Sequence, residues 1–390
     1  MRYAVLGAGR QGLAIAFDLM KQGGARGVTL VDVDRRTVLG GARRLRALAP
    51  GIPVRAVARR LEGATAVGLL RGHDAAVSAL PYRHNPALAR AALEAKVHFC
   101  DLGGNTDLVR EALTLDRAAR RAGVTIIPDC GLAPGLGNVL AAIAIDEVAG
   151  ARHVRIRCGG LPAAPRGPLG YSLLFSIEGL TNEYTGEAVT LRGGKLRRFE
   201  AFTEVEPYEG PRRLGPLEAF FTSGGTSTAP WRHRGRLSTY EYKTVRYRGH
   251  FERVRAMIDL GLLSLEPVDG IVPRDAFHRI VGPRLLDPHV RDLAILRVDC
   301  TDLRGAGVRY EMLQFHDAET GFTAMEQTTG YPTALVAAAM ARGELRPGAY
   351  TPDAAGFDAA HLRALRRRGL RIRRIPIGPG SGSRSDRRRA

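Results

Sequence analysis

A glycine-rich turn near the start of the chain constrains the fold more than any other feature. Residues 3–6 (YAVL) predict a short buried strand, and the turn Gly7-Ala8-Gly9-Arg10-Gln11-Gly12 follows it at once. A helical pattern comes next, and then a second strand over 28–31 that ends at Asp32. Strand, G-x-G-x-x-G turn, helix, strand and acid, with about twenty residues between the last glycine and the acid, form the fingerprint of a dinucleotide-binding fold.

The glycines of this turn each have a separate task. Gly7 permits the tight turn, Gly9 lets the backbone approach the pyrophosphate, and Gly12 allows the helix to pack closely on the strand. Arg10 and Gln11 lie in the same turn at the start of the helix. We therefore expect all five residues to bind the cofactor.

The end of the second strand bears on the choice of cofactor. Asp32 can accept hydrogen bonds from the ribose hydroxyls and would repel a ribose phosphate, which favours NAD. Arg35 and Arg36 follow closely and could receive that phosphate instead. NAD is the expected cofactor, and NADP stays open.

The rhythm of strands and helices continues beyond the fingerprint. Strands are predicted at 75–80, 97–100 and 124–127, with helices at 86–95 and 107–122. Such alternation builds a doubly wound parallel sheet, in which ligands bind at the carboxyl ends of the strands. The further residues that we expect to contact the cofactor follow two of these strands: Ala79, Leu80, Pro81 and Asp101.

After about residue 150 the pattern changes. Strand-like runs separated by long polar loops predict a mostly antiparallel second domain with helices; they lie at 153–158, 189–192, 238–247, 295–301 and 308–315. The helix at 334–345, after Pro332, is predicted to return to the first domain. The predicted fold class is α/β, a Rossmann doubly wound parallel sheet with an inserted α+β catalytic domain. The predicted segments are a dinucleotide-binding domain at 1–130, a catalytic, substrate and dimerisation domain at 131–325, returning helices at 326–360, and a basic tail at 361–390 that is disordered from about 376.

The net charge of +19 raises the question of nucleic-acid binding. Eleven arginines and a single acid lie in 361–390, and only four of the 58 basic residues are lysines. The rest of the chain has no basic stripe interleaved with aromatic residues of the kind that stacks bases. A nucleic-acid partner is therefore not expected, and it stays an alternative only for the tail.

The cysteines and histidines argue against structural disulfides and metal sites. The four cysteines lie at least 28 residues apart, which excludes CxxC motifs, and the ten histidines form no HxH or HExxH pair. Reduced thiols are typical of a cytoplasmic protein. The apolar stretches, such as 139–145, are too short to span a bilayer, so we expect neither a metal nor a membrane partner.

Several stretches together resemble one family. They are SALPYRHNPALARAAL (78–93), DCGLAPGLGNVLA (129–141), CGGLP (158–162), GPLEAFFTSGGTST (215–228) and EYKTVRYRGH (241–250). In their order and spacing over about residues 1–345 they resemble the saccharopine dehydrogenase family, and the last two are most similar to its lysine 6-dehydrogenase branch. The tail beyond 361 has no counterpart in that resemblance, and the strand at 54–58 lacks the acid that relatives often place against the adenine.

The resemblance implies a homodimeric, NAD(P)-dependent oxidoreductase. Members of that branch convert the terminal amine of L-lysine to an aldehyde, 2-aminoadipate 6-semialdehyde, with release of ammonia. The product cyclises to piperideine-6-carboxylate. Other members of the family act on saccharopine or on polyamine conjugates, so the substrate transfers less readily than the reaction type.

Hydride removal from an amine requires the neutral amine, although a free alkylamine has a pKa of about 10.4. The site must therefore desolvate the amine or supply a base, for which Lys243 and His250 are the candidates. Asp107, on a loop at a carboxyl strand end, is a catalytic candidate that could orient substrate or water. Lys243 could instead be a surface lysine, and His250 could bond the backbone at a helix start. Asp107 could merely favour a helix N-terminus.

An amino-acid substrate also brings a carboxylate and an α-ammonium. Arg246 is the predicted carboxylate clamp, Ser223 and Thr226 offer hydroxyls and N–H groups in a Gly-Gly turn, and Glu178 is the candidate for the ammonium. Lys243 and His250 flank the segment Arg246-Tyr247-Arg248-Gly249, so the strand end and the turn could bring both towards one cavity. The ordinary alternatives are a salt-bridged strand arginine, a simple turn and a solvated glutamate.

The leading hypothesis is thus an amine dehydrogenase acting on L-lysine. The alternatives are an imine-reducing enzyme of the saccharopine reductase or carboxynorspermidine synthase type, which forms a carbon–nitrogen bond, and a dinucleotide-binding protein without turnover.

Overall fold

The computed structural model describes residues 1–379, except the side chain of Arg212, and the chain forms two compact units. The first unit comprises Met1–Ala142, Ala318–Phe322 and Glu326–Leu370, and the second comprises Ile143–Asp317, Thr323–Met325 and, of the described residues, 371–379. The chain thus leaves the first unit after Ala142, returns to it before Leu370, and enters the second unit again at Arg371.

Strands and helices are numbered in chain order. The strands are β1 Arg2–Leu6, β2 Gly27–Asp32, β3 Val54–Ala58, β4 Ala75–Ser78, β5 His98–Asp101, β6 Thr125–Ile127, β7 His153–Pro162, β8 Glu187–Arg192, β9 Lys195–Glu200, β10 Thr203–Tyr208, β11 Leu217–Phe221, β12 Thr239–Tyr247, β13 Asp292–Thr301, β14 Gly307–Phe315, β15 Gly348–Ala349 and β16 Ile372–Ile377. The helices are α1 Arg10–Lys21, α2 Arg35–Leu48, α3 Gly63–Leu70, α4 Asn85–Ala95, α5 Thr106–Leu113, α6 Asp116–Ala122, α7 Gly137–Glu147, α8 Ile177–Glu183, α9 Ala229–Arg232, α10 His250–Asp259, α11 Pro273–Leu285, α12 Ala324–Ala341 and α13 Ala359–Arg367.

The first unit contains a parallel sheet of seven strands in the order β15-β6-β5-β4-β1-β2-β3. The chain first runs from β1 to β2 and β3, and then continues from β4 on the other side of β1. Strand order therefore reverses between β1 and β4, and at such a point a doubly wound sheet opens a crevice for a ligand. This topology confirms the predicted Rossmann sheet.

The strands of this sheet are apolar because both of its faces are covered. Residues 3–6 of β1 and all of β4 are buried, and alanine, valine and leucine side chains from α3 and α4 pack on Ala4, Ala76 and Phe99. Side chains buried on both faces explain why these segments are short apolar runs rather than alternating patterns.

The second unit contains a mixed sheet whose main path is β10-β11-β12-β7-β13-β14-β16, with the hairpin β8-β9 joined to β12. β12 pairs with β7 in parallel, and the other neighbours along this path are antiparallel. A separate apolar cluster gathers Tyr184, Phe202 and Phe220 with side chains from α10 and α11. This sheet belongs to the predicted inserted α+β domain.

Several elements differ from the sequence-based predictions. The helix predicted at 107–122 is two helices, α5 and α6, and the helix predicted to begin after Pro332 begins at Ala324, so that Pro332 lies inside α12. The strands β9, β10, β11 and β16 were not predicted. β9 carries mostly exposed polar residues, because it is the outer strand of a hairpin.

The basic tail is largely structured over its described part. It contributes most of α13 and then β16, which pairs with β14. The disorder predicted for its end falls mainly on residues 380–390, which lie outside the described residues. Within the described chain, no helix combines the length and apolar character needed to cross a membrane.

A buried ion pair ties the tail to α1. Arg368 Nε lies 2.9 Å from Asp18 Oδ2, and the two side chains are only 5% and 4% exposed. Burial raises the pKa of Asp18 to about 6, against the opposing charge and hydrogen bond of Arg368. Among the described residues, Arg368 is the one cation that contacts this buried carboxylate directly.

We predict that Arg368→Ala destabilises the first unit by about 3 kcal/mol, because it leaves a buried charge uncompensated. Without the cation the pKa of Asp18 rises above 6, so the folded state holds the proton more tightly than the unfolded chain. The loss relative to the wild type should accordingly be small below about pH 6, where Asp18 is protonated in both folded proteins, and should grow as the pH is raised above 6. Urea unfolding at several pH values measures this.

The matched control is Arg367→Ala, since Arg367 is exposed on the same helix. Adding Asp18→Asn to Arg368→Ala should restore part of the stability. Equal unfolding midpoints for the two arginine variants would show that the ion pair contributes nothing.

Candidate functional site

The glycine-rich turn leaves the start of α1 open. Gly9 precedes α1 and no side chain caps the helix, so its first N–H groups point outward. A Cβ added to Gly9 would meet no atom within 4 Å, whereas a Cβ on Gly12 would lie 1.9 Å from the carbonyl oxygen of Gly7. Gly12 therefore brings the helix against the strand, and Gly9 leaves room above it for a pyrophosphate.

The two side chains inside the turn have different surroundings. Arg10 Nε donates to Glu326 Oε1 at 2.7 Å, and this glutamate side chain is 4% exposed. The side-chain oxygen of Gln11 is buried and has no hydrogen-bond partner among the described residues. A buried acceptor without a donor is costly, and a ligand hydroxyl would satisfy it.

Asp32 ties the turn to the end of β2. Its Oδ2 accepts from the N–H of Ala8 at 2.8 Å and its Oδ1 from the N–H of Asp34 at 3.0 Å. Each carboxylate oxygen can accept a second hydrogen bond, so the ribose hydroxyls still have acceptors. The open helix start, the orphaned Gln11 oxygen and Asp32 together fit a dinucleotide, and Arg35 and Arg36 stand exposed just beyond.

The end of β4 closes on the same turn. The carbonyl oxygen of Ala79 would lie 2.8 Å from a Cβ on Gly7, and the Leu80 N–H is 3.5 Å from Ser78 Oγ. Pro81 follows and is exposed. Ala79 thus reaches the turn by close backbone approach.

Asp101 ends β5 and is 2% exposed. Its Oδ1 accepts from the N–H groups of Gly103 at 2.7 Å and of Asp129 at 3.2 Å. Burial raises its pKa to about 6, and these hydrogen bonds oppose the rise. Asp101 therefore holds two strand-end loops together. A small depression at this edge of the sheet is lined by Tyr82, Asn85, Asp101, Gly103, Asn105, Leu108, Val109 and Pro128.

Asp107 does not line that depression. It lies in the first turn of α5 with 87% of its side chain exposed, 3.5 Å from Arg110. The structure gives it a position at a helix N-terminus, which was the alternative to a catalytic role.

Lys243, in the second unit, is enclosed. Its Nζ donates to Glu206 Oε2 and to the carbonyl oxygen of Glu204, both at 2.7 Å, and lies 4.9 Å from the ring centre of Phe221. Glu206 and Glu241 also accept from Arg157. Burial lowers the pKa of Lys243, as expected, while Glu206 opposes that change. The amine is nevertheless held in a buried ion network.

Arg246 lies on the other face of β12 from Lys243. Successive side chains of a strand point to opposite faces, and the two positions differ by three. The contacts agree: Arg246 Nε donates to Tyr184 Oη at 3.2 Å, and its guanidinium stacks 4.8 Å from the ring centre of Tyr171. The strand therefore separates Lys243 from Arg246 and from His250, which contacts Tyr184 beside Arg246, so the structure does not bring Lys243 and His250 towards one cavity.

His250 joins the Arg246 cluster but does not suit the role of a base. Its Nδ1 lies 2.9 Å from the carbonyl oxygen of Leu169, so Nδ1 carries the proton, and Nε2 accepts from the hydroxyl of Tyr184 at 2.9 Å. Burial, followed by the charge of Arg246, lowers the pKa of His250 to about 3. Both ring nitrogens are occupied, and the ring fixes Tyr184 in place.

The carboxylate that faces Arg246 is Glu183 rather than Glu178. Glu178 is exposed in the first turn of α8. Glu183 ends the same helix, and its Oε2 lies 3.8 Å from Arg246 Nη2. The sequence alone does not identify Glu183, because nothing local distinguishes two glutamates on one short helix. Glu183 is distinguished by its approach to Arg246 of β12, a residue distant in the sequence.

The Gly-Gly turn after β11 is held by its own hydroxyls. Ser223 Oγ donates to the carbonyl oxygen of Asn182 at 2.6 Å, and Thr226 Oγ1 donates to that of Val189 at 2.9 Å. A Cβ on Gly225 would lie 2.2 Å from the ring of Tyr242, so glycine lets the turn lie flat on that ring. Both hydroxyls therefore serve the fold of the turn.

Among residues 1–379, no three or more histidine, cysteine, aspartate or glutamate side chains are grouped to hold a metal ion. The four cysteines are buried and reduced.

Comparison with known proteins is consistent over nearly the whole chain. Residues 3–127 match the saccharopine dehydrogenase NADP binding domain, and residues 131–370 match the saccharopine dehydrogenase C-terminal domain. The first match confirms the expectation of a nicotinamide dinucleotide, NAD(P), as cofactor.

Curated relatives are a little over a quarter identical to this chain over the aligned residues. Saccharopine dehydrogenase (NADP+, L-glutamate-forming) of Pyricularia oryzae is 29% identical over 204 residues, 50% of this chain and 44% of that protein. The Saccharomyces cerevisiae protein of the same name is 27% identical over 205 residues, 50% of this chain and 45% of that protein. The chain thus spans less than half the length of these two relatives.

Two further matches cover more of this chain and more of the matched protein. Carboxynorspermidine synthase of Vibrio cholerae is 26% identical over 306 residues, 71% of this chain and 72% of that protein. The solved structure of apo saccharopine dehydrogenase (L-Glu forming) from Saccharomyces cerevisiae matches with a TM-score of 0.73 and 19% identity over 97% of this chain and 100% of that chain. At that identity the structural match establishes the fold.

With both domain families matched in order, the chain belongs to the saccharopine dehydrogenase family, whose resemblance the sequence motifs had indicated.

Proposed function

We propose that this protein oxidises the 6-amine of L-lysine with NAD(P) and releases ammonia. The product is 2-aminoadipate 6-semialdehyde, which cyclises to piperideine-6-carboxylate. Family membership supports an oxidoreductase of amino-acid metabolism, and the choice of L-lysine is the finer part of the proposal. A homodimer in the cytoplasm, with the predicted domain segments, belongs to the same proposal.

The observation that carries the proposal is the position of the two lysine 6-dehydrogenase-like stretches. Residues 215–228 form β11 and the turn after it, and residues 241–250 form most of β12 and the start of α10. The two strands pair so that Glu218 lies opposite Arg246. The two stretches that resemble the lysine 6-dehydrogenase branch thus form neighbouring strands of the second unit. We call this surface of β11, β12 and the start of α10 the wall.

The charges at this wall suit an amino acid. Arg246 is a buried cation, and the side chain of Glu183, 3.8 Å away, is 29% exposed. The carboxylate of Glu183 and the guanidinium of Arg246, held at fixed positions, can bind the 6-ammonium and the carboxylate of L-lysine. Glu218 accepts from the N–H groups of Gly249 and Phe251, and so it holds the end of β12 and the start of α10 in place.

In the first unit, Gly9, Gln11 and Asp32 are the residues that would hold the cofactor. When bound, NAD(P) accepts a hydride from the carbon that carries the amine. The protein must keep that amine neutral and oriented, and must then admit water to the imine carbon.

An alternative reaction forms a carbon–nitrogen bond by reduction of an imine. It is favoured by the match to carboxynorspermidine synthase, which spans 72% of that protein. Such a reaction would use an amine and an aldehyde as co-substrates. Arg246 favours amino acids over polyamines in either direction.

We predict that the purified protein reduces NAD in the presence of L-lysine at alkaline pH and releases one ammonia per dinucleotide. Alkaline pH is chosen because it increases the neutral fraction of the lysine 6-amine, whose free pKa is about 10.4. Dinucleotide absorbance and an ammonia assay measure this, with NAD and NADP in parallel. Because Asp32 would repel a ribose phosphate, we expect NAD to be preferred.

Saccharopine as substrate, and amine–aldehyde pairs with reduced dinucleotide, serve as comparison reactions. Reduction with saccharopine but not with lysine, or consumption of reduced dinucleotide by an amine–aldehyde pair alone, would contradict the proposal and favour the alternative.

We predict that Gly9→Ala weakens dinucleotide binding at least tenfold and leaves the melting temperature of the free protein unchanged. Its Cβ meets nothing in the fold, but it occupies the space left for the pyrophosphate. Gly12→Ala should instead lower the melting temperature, since its Cβ would lie 1.9 Å from the carbonyl oxygen of Gly7. Fluorescence titration with NADH and NADPH, and thermal melting, separate the two effects.

Gly40→Ala is the control, because a Cβ at this position of α2 also meets nothing within 4 Å. Unchanged dinucleotide affinity in Gly9→Ala would show that the cofactor does not approach this turn.

A further inference from the structure

The carboxylate of Glu183 differs from the other buried and half-buried acids near β12. Its nearest cation, Arg246, is 3.8 Å away, beyond hydrogen-bond distance. No donor among the described residues bonds either carboxylate oxygen, and 29% of the side chain is exposed. By contrast, Glu204, Glu206 and Glu241 are all engaged by arginine or lysine.

The backbone that carries Glu183 is firmly held. The N–H of Ser223 donates to the carbonyl oxygen of Glu183 at 2.8 Å, and Ser223 Oγ donates to that of Asn182. The next side chain, Tyr184, packs against Phe202 with ring centres 4.7 Å apart and bonds His250. A fixed backbone with an unengaged carboxylate is the arrangement expected of a group that awaits a ligand.

The groups that face this carboxylate carry a single permanent charge. Arg246 comes from β12, and the other titratable groups are neutral phenols and a thiol. These are Tyr171 from the loop before α8, Tyr184 at its end, Tyr242 from β12 and Cys158 from β7. Burial raises the pKa of each of them, so at neutral pH none adds charge.

We propose that Glu183 is the group that binds the substrate ammonium of the dehydrogenase reaction and accepts its proton. This inference rests on the proposed function and assigns a residue to its base. In the step, one N–H bond of R–NH3+ breaks and an O–H bond forms on the Glu183 carboxylate. The products are R–NH2 and the neutral acid, and the proton later leaves to water through the exposed side of the carboxyl.

The environment of Glu183 brings its proton affinity closer to that of an amine. Burial raises its pKa to about 7, and the charge of Arg246 limits the rise. An ordinary glutamate, of pKa about 4.3, would accept a proton from an alkylammonium with an equilibrium constant of about 10⁻⁶, whereas this one does so with about 10⁻³. Lys243 and His250 are both committed to other partners and offer no such group.

The test compares Glu183→Gln with the wild-type full-length protein in the L-lysine and dinucleotide assay from pH 6 to 10.5. Wild-type kcat/KM should fall as the pH drops below about 7, because Glu183 then becomes protonated. In Glu183→Gln that limb should move toward the pKa of lysine itself, and kcat/KM at pH 8 should fall by about a hundredfold. Glu252→Gln is the matched control, because Glu252 is an exposed glutamate at the surface of α10.

A binding measurement separates a local role from a general loss of structure. In thermal melts at pH 8 with reduced dinucleotide present, L-lysine should stabilise the wild type more than its 6-hydroxy analogue does. This difference should vanish in Glu183→Gln. Glu183→Gln alone should melt no lower than the wild type, since it removes a poorly solvated charge.

The outcomes are distinct. If the wild type reduces no dinucleotide with lysine, the proposed function fails. If the wild type is active but Glu183→Gln keeps its pH profile and its preference for lysine over the hydroxy analogue, Glu183 is not the base, and the proposed function stands.

Discussion

The alternation of side chains along β12 decides which residues of the second unit can share a site. This strand lies inside the sheet, paired with β7 and β11, and eight of its nine residues are buried. A strand buried on both faces must place polar residues in two separate environments. Lys243 therefore belongs to one face and Arg246 to the other, and no rotation of either side chain can bring them together.

The two faces solve the problem of buried charge differently. On one face Arg157, Lys243, Glu206 and Glu241 neutralise each other through bonds of 2.7 to 3.0 Å, which is what a buried ion cluster needs to offset its desolvation. On the other, Arg246 is satisfied by a phenol, a carbonyl oxygen and aromatic rings, while the nearby carboxylate of Glu183 has no donor within residues 1–379. The ion network, in which every charge has a partner, stabilises the fold, whereas the Glu183 carboxylate, which has no hydrogen-bond donor among the described residues, can bind a ligand.

Local sequence predicted the first unit well. The fingerprint from Gly7 to Asp32 depends on contacts within thirty residues, such as the approach of Gly12 to Gly7, so its residues specify the geometry directly. The second unit depends on pairings between distant segments, including β16 with β14 and β12 with β7. Its edge strands, such as β9, carry exposed polar residues, and their sequence therefore lacks the apolar pattern that identifies a strand.

The candidate site shows where residue type stops being informative. Lys243, His250 and Glu178 were reasonable choices because amines, imidazoles and carboxylates can move protons, yet their chemistry depends on what surrounds them. His250 has its pKa lowered to about 3 by burial and binds at both nitrogens, while Glu183, five residues beyond Glu178, has its pKa raised to about 7. Side chains alternate between the two faces of a strand, and Lys243 and Arg246 differ by three positions in the predicted strand at 238–247. That spacing alone would have placed them on opposite faces. No such rule distinguishes Glu183 from Glu178, because only the long-range approach of α8 to β12 places one of them beside Arg246.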